Sequence, residues 1–134
     1  MRSINPYLRH MPKKDPQHIT VCIPAYAEPN VIFTLKSLSE CDSTGLEIKV
    51  LVLVNGREDD SQKVKKNNQM AFNAAHIWAL TYLGPMKFHI LHEPEMLPKH
   101  AGVGLARKIL GDKAAADFKE KNLDGIIAYL DADC

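Results

Sequence analysis

Ile48-Lys49-Val50-Leu51-Val52-Leu53-Val54-Asn55-Gly56 is almost continuous Val, Leu and Ile up to a turn dipeptide. A strand with one wet face would alternate apolar and polar residues. A run that is apolar at nearly every position is what a strand covered on both faces requires, and such strands belong to parallel sheets flanked by helices. A helical stretch separates this run from the apolar run before it, so Asn55-Gly56 reads as a loop at a strand end and not as a hairpin. Upstream, Ile19-Thr20-Val21-Cys22-Ile23 is short and β-branched and stops at Pro24, which predicts a first strand. Between the two strands, Asn30 is placed to cap a helix carrying Val31, Leu35 and Leu38, fading from Cys41 to Gly45.

Downstream, residues 61–82 form the longest helical stretch, with Val64, Ala71, Ala75, Trp78 and Tyr82 on one stripe and Gly84-Pro85 as its stop. Residues 87–91 predict a shorter third strand. A polar loop with Pro94 and Pro98 then leads to a helix over 103–121, weakened at Gly111, and to a last strand over 125–130. The resulting β-α-β-α-β-α-β order has crossovers long enough for right-handed parallel connections. It predicts an α/β fold with a doubly wound, mostly parallel sheet of about four strands and helices on both faces. The strand order expected is 3-2-1-4, which brings the ends of the first, second and fourth strands to one edge.

The chain has 134 residues, enough for one domain with its own core. It is 46% hydrophobic and 25% charged, which excludes disordered and fibrous classes. Its net charge of +1, from 17 basic and 16 acidic residues, gives no support to a nucleic-acid binder. Cys22, Cys41 and Cys134 are odd in number and lack metal-ligand spacing, so a reduced, cytoplasmic setting is expected, with Cys22 a small buried hydrophobe. No apolar run approaches the length of a membrane helix. Residues 1–18 form a separate zone, basic through Arg2, Arg9, Lys13 and Lys14 and interrupted by Pro6, Pro12 and Pro16. They read as a surface arm, with contact to lipid headgroups or a partner as the second reading.

Polar residues concentrate where the strands end. The first strand runs into Pro24-Ala25-Tyr26-Ala27-Glu28, the second into Asn55-Gly56-Arg57-Glu58-Asp59, and the last into Asp131-Ala132-Asp133. Open α/β sheets bind ligands outside the carboxyl ends of their strands. Asp131 and Asp133, one residue apart, would share a side of an extended chain. Paired carboxylates there are hard-oxygen ligands for Mg²⁺ or Mn²⁺, usually shared with a substrate phosphate. Tyr26 offers a flat face to a nucleobase, and a neighbouring carboxylate or amide can read a base edge or ribose.

These elements together resemble the family-2 glycosyltransferases of the GT-A fold, whose nucleotide-binding half is Rossmann-like. Pro24, Tyr26 and Glu28 match the family's opening element, Asn55 and Gly56 its second strand end, and Ala101 to Arg107 its small-residue loop ending in Ala-Arg. Asp131 and Asp133 match its Asp-x-Asp. The resemblance spans residues 19–134 and covers the donor-binding half of the family's catalytic domain, ending just after the Asp-x-Asp.

The resemblance implies binding of a nucleotide-diphosphate sugar by Pro24, Ala25, Tyr26, Glu28, Asn55, Arg107 and Asp131. Tyr26 and Glu28 would border base and ribose, Asn55 the base, and Arg107 the base or diphosphate. Asp131 and Asp133 would hold Mn²⁺ or Mg²⁺. The acceptor would be a saccharide or lipid-linked hydroxyl, and the setting cytoplasmic, extending to the inner face of a membrane. Asn55 stands where many relatives have Asp, and Lys108 where they commonly have Asn. An inverting member's carboxylate base normally follows the Asp-x-Asp, so no catalytic residue is assigned, and residues 19–134 are expected to bind donor without transferring the sugar. Self-association through the edge of the last strand or its helical neighbours is also expected. Three other readings share features. Gly102-x-Gly104 suggests a dinucleotide turn, but Arg107 replaces its third glycine. Asp131-x-Asp133 after a strand is similar to the nucleophile motif of haloacid-dehalogenase phosphatases. A non-catalytic nucleotide-binding module is the third.

Overall fold

The alternation of Val and Leu in the second strand divides the protein into two cores. The computed structural model describes residues 17–97 and 103–132. Its strands are β1 (Gln17–Ala25), β2 (Leu46–Arg57), β3 (Lys87–Met96) and β4 (Gly125–Tyr129), and its helices α1 (Val31–Ser39), α2 (Gln62–Thr81) and α3 (Val103–Glu120). The sheet is parallel throughout, in the order β3-β2-β1-β4, as the alternation of apolar runs and helical stripes predicts. Successive strand side chains point to opposite faces. Val50, Val52 and Val54 therefore meet Val31 and Leu35 of α1 and Ala71 and Ala75 of α2. Leu51 and Leu53, with Cys22, meet Ala106, Leu110 and Ala114 of α3. Helices α1 and α2 thus cover one face and α3 the other, the doubly wound arrangement. The chain changes direction across the sheet after β3, so the switch point lies between β1 and β4.

The α2 layer is aromatic towards β3. Trp78 and Tyr82 pack edge-on against Phe88 at 4.8 and 4.9 Å, and Phe72 stacks on His76 at 5.4 Å and on His92 at 4.8 Å. His76, His89 and His92 form no metal cluster; none is found among the described residues.

Four local expectations are corrected. Pro24 does not end the first strand, which begins at Gln17 and continues through Ala25. Pro24 lies in the middle of the sheet, in register with Leu53, but one residue from the strand's end, where a missing donor costs least. Pro94 does not sit in a loop: β3 extends to Met96, and Pro94 lies on an edge strand where the β2–β3 register is irregular, a place that tolerates a missing donor. Asn55-Gly56 does not end β2, which continues to Arg57 through an irregularity in the β2–β3 register. Asn30 occupies the N-cap of α1 without a side-chain cap bond, its carbonyl accepting from Phe33 N at 3.0 Å. Ser61 caps α2 through its hydroxyl oxygen, which accepts from Val64 N at 3.2 Å. No described helix is long and apolar enough to cross a membrane. Residues 1–16 of the expected basic arm, Ala101 and Gly102 of the small-residue loop, and Asp133 and Cys134 lie outside the described residues.

Candidate functional site

A parallel sheet sends every strand end to the same edge, and here that edge collects two sets of polar side chains. The first joins β1 to β2. The backbone turns sharply after Ala25, with Ala27 in the left-handed region at φ 52°. A non-glycine residue holds that conformation only when its surroundings fix it. Asn68 does so. It lies on the inner side of α2 and is 3% exposed. Its Oδ1 accepts from Ala27 N at 3.0 Å and its Nδ2 donates to Asn55 O at 3.4 Å. One buried amide therefore ties the turn after β1 and the last residues of β2 to helix α2.

Gly56 is required beside it, because a Cβ there would lie 2.8 Å from Pro94 O and 3.3 Å from Asn68 Nδ2. The Tyr26 hydroxyl donates to Asp60, whose other oxygen accepts from Arg57 N at 2.7 Å. That bond keeps the Tyr26 phenol protonated above its ordinary range. Arg57 in turn pairs with Asp59 at 2.9 Å.

The second set lies at the switch point. Arg107, in the first half of α3, donates from its guanidinium to Asp131 Oδ1 at 3.0 Å, and Tyr129 donates to Arg107 O at 3.4 Å. Leu130 N donates to Cys22 O at 3.0 Å, extending the β1–β4 pairing, and Thr34 of α1 donates to Ala132 O. These bonds fix the end of β4 between the two helical layers.

Asn55 follows Leu51 and Leu53 in alternation, so its side chain projects to the α3 side of the sheet, as Asp131 does in meeting Arg107. Asn55 and Asp131 stand two strands apart and two residues out of level, roughly 12 Å. Asn55 is 2% exposed and its Oδ1 has no hydrogen-bond partner among the described residues. An orphaned buried acceptor costs on the order of 1–3 kcal/mol, so it marks a place where a further donor would be stabilising.

The expected site residues divide as follows. Tyr26, Asn55, Arg107 and Asp131 lie at the same sheet edge. Glu28 follows the left-handed turn and is half-buried, with no ion pair among those described. The side chains of Pro24 and Ala25 are buried, Ala25 in the core under α1, leaving their backbone as the part nearest the edge. Asp133 lies outside the described residues. Asn68 and Asp60 went unpredicted: Asn68 sat among polar helix residues, and Asp60 in an acidic run that read as a loop.

For a divalent cation, the described residues offer Asp131, whose side chain is 60% exposed and already paired with Arg107. No three described carboxylates, histidines or cysteines form a cage. One carboxylate is too few to enclose a divalent cation; Mg²⁺ and Mn²⁺ sites with so few protein ligands are completed by phosphate oxygens and water.

A hollow of about 250 Å³ opens at the opposite, amino edge, lined by His18, Lys49, Lys87, Asp117, Phe118 and Leu123. Lys49 and Lys121 neutralise Asp117 there at 2.8 and 3.3 Å, and Lys49 holds its carboxyl below the usual range. Lys49, Lys121 and Asp117 satisfy one another, whereas Asn55 at the carboxyl edge has an acceptor left open among the described residues. No protein-family model, curated protein or solved structure matches this chain.

Proposed function

We propose that this chain binds the nucleoside diphosphate of a sugar donor at the carboxyl edge of its sheet, as the donor half of a family-2-type glycosyltransferase. The observation that carries the reading is the buried Asn55 Oδ1, without a hydrogen-bond partner among the described residues, one register step past Ala25–Val54 and on the same side of the sheet as Arg107 and Asp131. In this reading Tyr26 packs on the base, Asn55 accepts from a base N–H, and Glu28 meets the ribose. Arg107 takes the diphosphate, since a guanidinium fork suits phosphate oxygens. Moving Arg107 from Asp131 to a phosphate frees the carboxylate. Asp131, with Asp133, would then hold a Mn²⁺ or Mg²⁺ ion, which when bound stabilises charge on the departing diphosphate. Asp60 and Asn68 act at one remove, Asp60 fixing the Tyr26 ring and Asn68 fixing the turn after β1 against the end of β2. Transfer to a saccharide or lipid-linked hydroxyl is the reaction such a donor site would serve.

Calorimetric titration of UDP and GDP, each with and without Mn²⁺, tests the reading on the wild type, Tyr26→Ala and Asp131→Asn. Tyr26→Ala is expected to weaken binding with or without metal, because it acts through the base. Asp131→Asn is expected to remove the gain that Mn²⁺ confers. Absence of binding by either nucleotide, here and in a longer chain, would overturn the assignment. So would binding that none of the changes alters.

A further inference from the structure

We propose that the outward face of the α1–α2 layer docks this protein onto an anionic lipid surface. Helices α1 and α2 pack side by side on one face of the sheet, burying Val31, Leu35, Ala71 and Ala75. Their opposite sides should then be polar. Instead Phe33, Met70, Ile77, Leu80 and, just past α2, Leu83 are between 58% and 97% exposed. Met70, Ile77 and Leu80 follow one another along roughly 15 Å of helix, on the side away from the buried alanines. Large apolar side chains gathered on one face mark an interaction surface.

The charge on this face selects the partner. Lys36, Lys63 and Lys66 are exposed on the same outward side, against Glu40. None of the three lysines has an ion pair among the described residues. The nearest carboxylates to the start of α2, Asp59 and Asp60, are engaged by Arg57 and Tyr26. Helix α2 has no acidic residue in its first turn. Lysines at a helix N-terminus oppose the helix dipole, so Lys63 and Lys66 do not serve the helix itself. A second copy of this face would bring like charges together. An anionic surface would attract the lysines while Met70, Ile77, Leu80 and Leu83 enter the headgroup region, the combination by which amphipathic faces bind membranes. A bilayer, being fluid, also requires no matching shape from side chains set apart along a helix.

Flotation of the full chain with vesicles tests this, using phosphatidylcholine alone and phosphatidylcholine with about 30% phosphatidylserine. The chain is expected to float with the anionic vesicles only, and less so as salt rises. Ile77→Ser with Leu80→Ser alters exposed positions, so circular dichroism should stay unchanged while flotation is lost. Lys63→Ala and Lys66→Ala should each weaken binding by roughly five-fold. Flotation unchanged by the serine substitutions would assign it to the basic N-terminal residues and overturn the proposal. Equal flotation with both vesicles would overturn the charge argument. A dimer that the serine substitutions dissolve, with no flotation, would make this face a contact between copies and overturn it too.

Discussion

Replacing Asn68 by alanine isolates the contact that holds the turn after β1 against the end of β2. The substitution removes an acceptor 3.0 Å from Ala27 N and a donor 3.4 Å from Asn55 O. A hydrogen bond of ordinary geometry contributes about 0.5–1.5 kcal/mol net. The Ala27 bond belongs in the middle of that range, because Ala27 is exposed and water can replace the partner. The longer bond to Asn55 belongs near its lower end, although burial prevents water from replacing it cleanly. Together they come to about 1.5 kcal/mol. Alanine is the better helix former by up to about 0.7 kcal/mol, which leaves a net loss of about 0.8 kcal/mol. For a domain of this size that lowers Tm by about 3 °C.

The neighbouring Asn67 is exposed on the same helix, so Asn67→Ala carries the propensity gain without the loss and should match or slightly exceed the wild type. Urea and thermal unfolding of both variants measure the difference. Nucleotide titration of Asn68→Ala should show weaker binding than stability alone explains, because Tyr26 and Asn55 lose their common anchor. If Asn68→Ala proves as stable as Asn67→Ala, Asn68 is not the anchor, and the reasoning about the left-handed Ala27 fails with it.

Gly56→Ala should destabilise by about 1–3 kcal/mol in urea unfolding, since the new methyl meets a backbone oxygen at 2.8 Å and backbone cannot swing away; a neutral result would show that β3 yields at Pro94. Burial pushes the His92 imidazole below its ordinary range, so the unfolded chain takes up that proton first as pH falls. The His92 contribution is therefore fully present at neutral pH and lost as pH drops below about 6.5. His92→Phe, which keeps the stack on Phe72, should shrink the stability difference between about pH 7.5 and about pH 5.5, as read by urea midpoints. Burial raises the Cys22 thiol to about 11 while Cys41 is exposed. Alkylation near pH 8, followed by peptide mass analysis, should modify Cys41 and spare Cys22 until denaturant is added.

The parallel sheet and its strand order were legible in the residues because burial on both faces leaves a mark at every position of a strand. Val50 to Val54 cannot be wet on either side, and only helices on both faces allow that. The edge where ligands gather was legible for the same reason, since parallel strands must all end together. Strand limits at Pro24, Asn55-Gly56 and Pro94 were not, because a proline or a turn dipeptide is tolerated wherever the lost hydrogen bond or the close approach happens to be harmless. That depends on neighbouring strands that local sequence does not specify. Asn68 and Asp60 belong to the same class. Asn68 lies 41 residues from Ala27 and Asp60 lies 34 from Tyr26, so no spacing rule connects them. Hydrogen bonding is directional and short-ranged, and only the tertiary fold brings such donors and acceptors within reach. Apolar burial, in contrast, is written along the chain as a period. Sequence alone therefore settled the architecture, and the tertiary structure decided which polar side chains hold the edge in shape and which, like Asn55, are left open among the described residues.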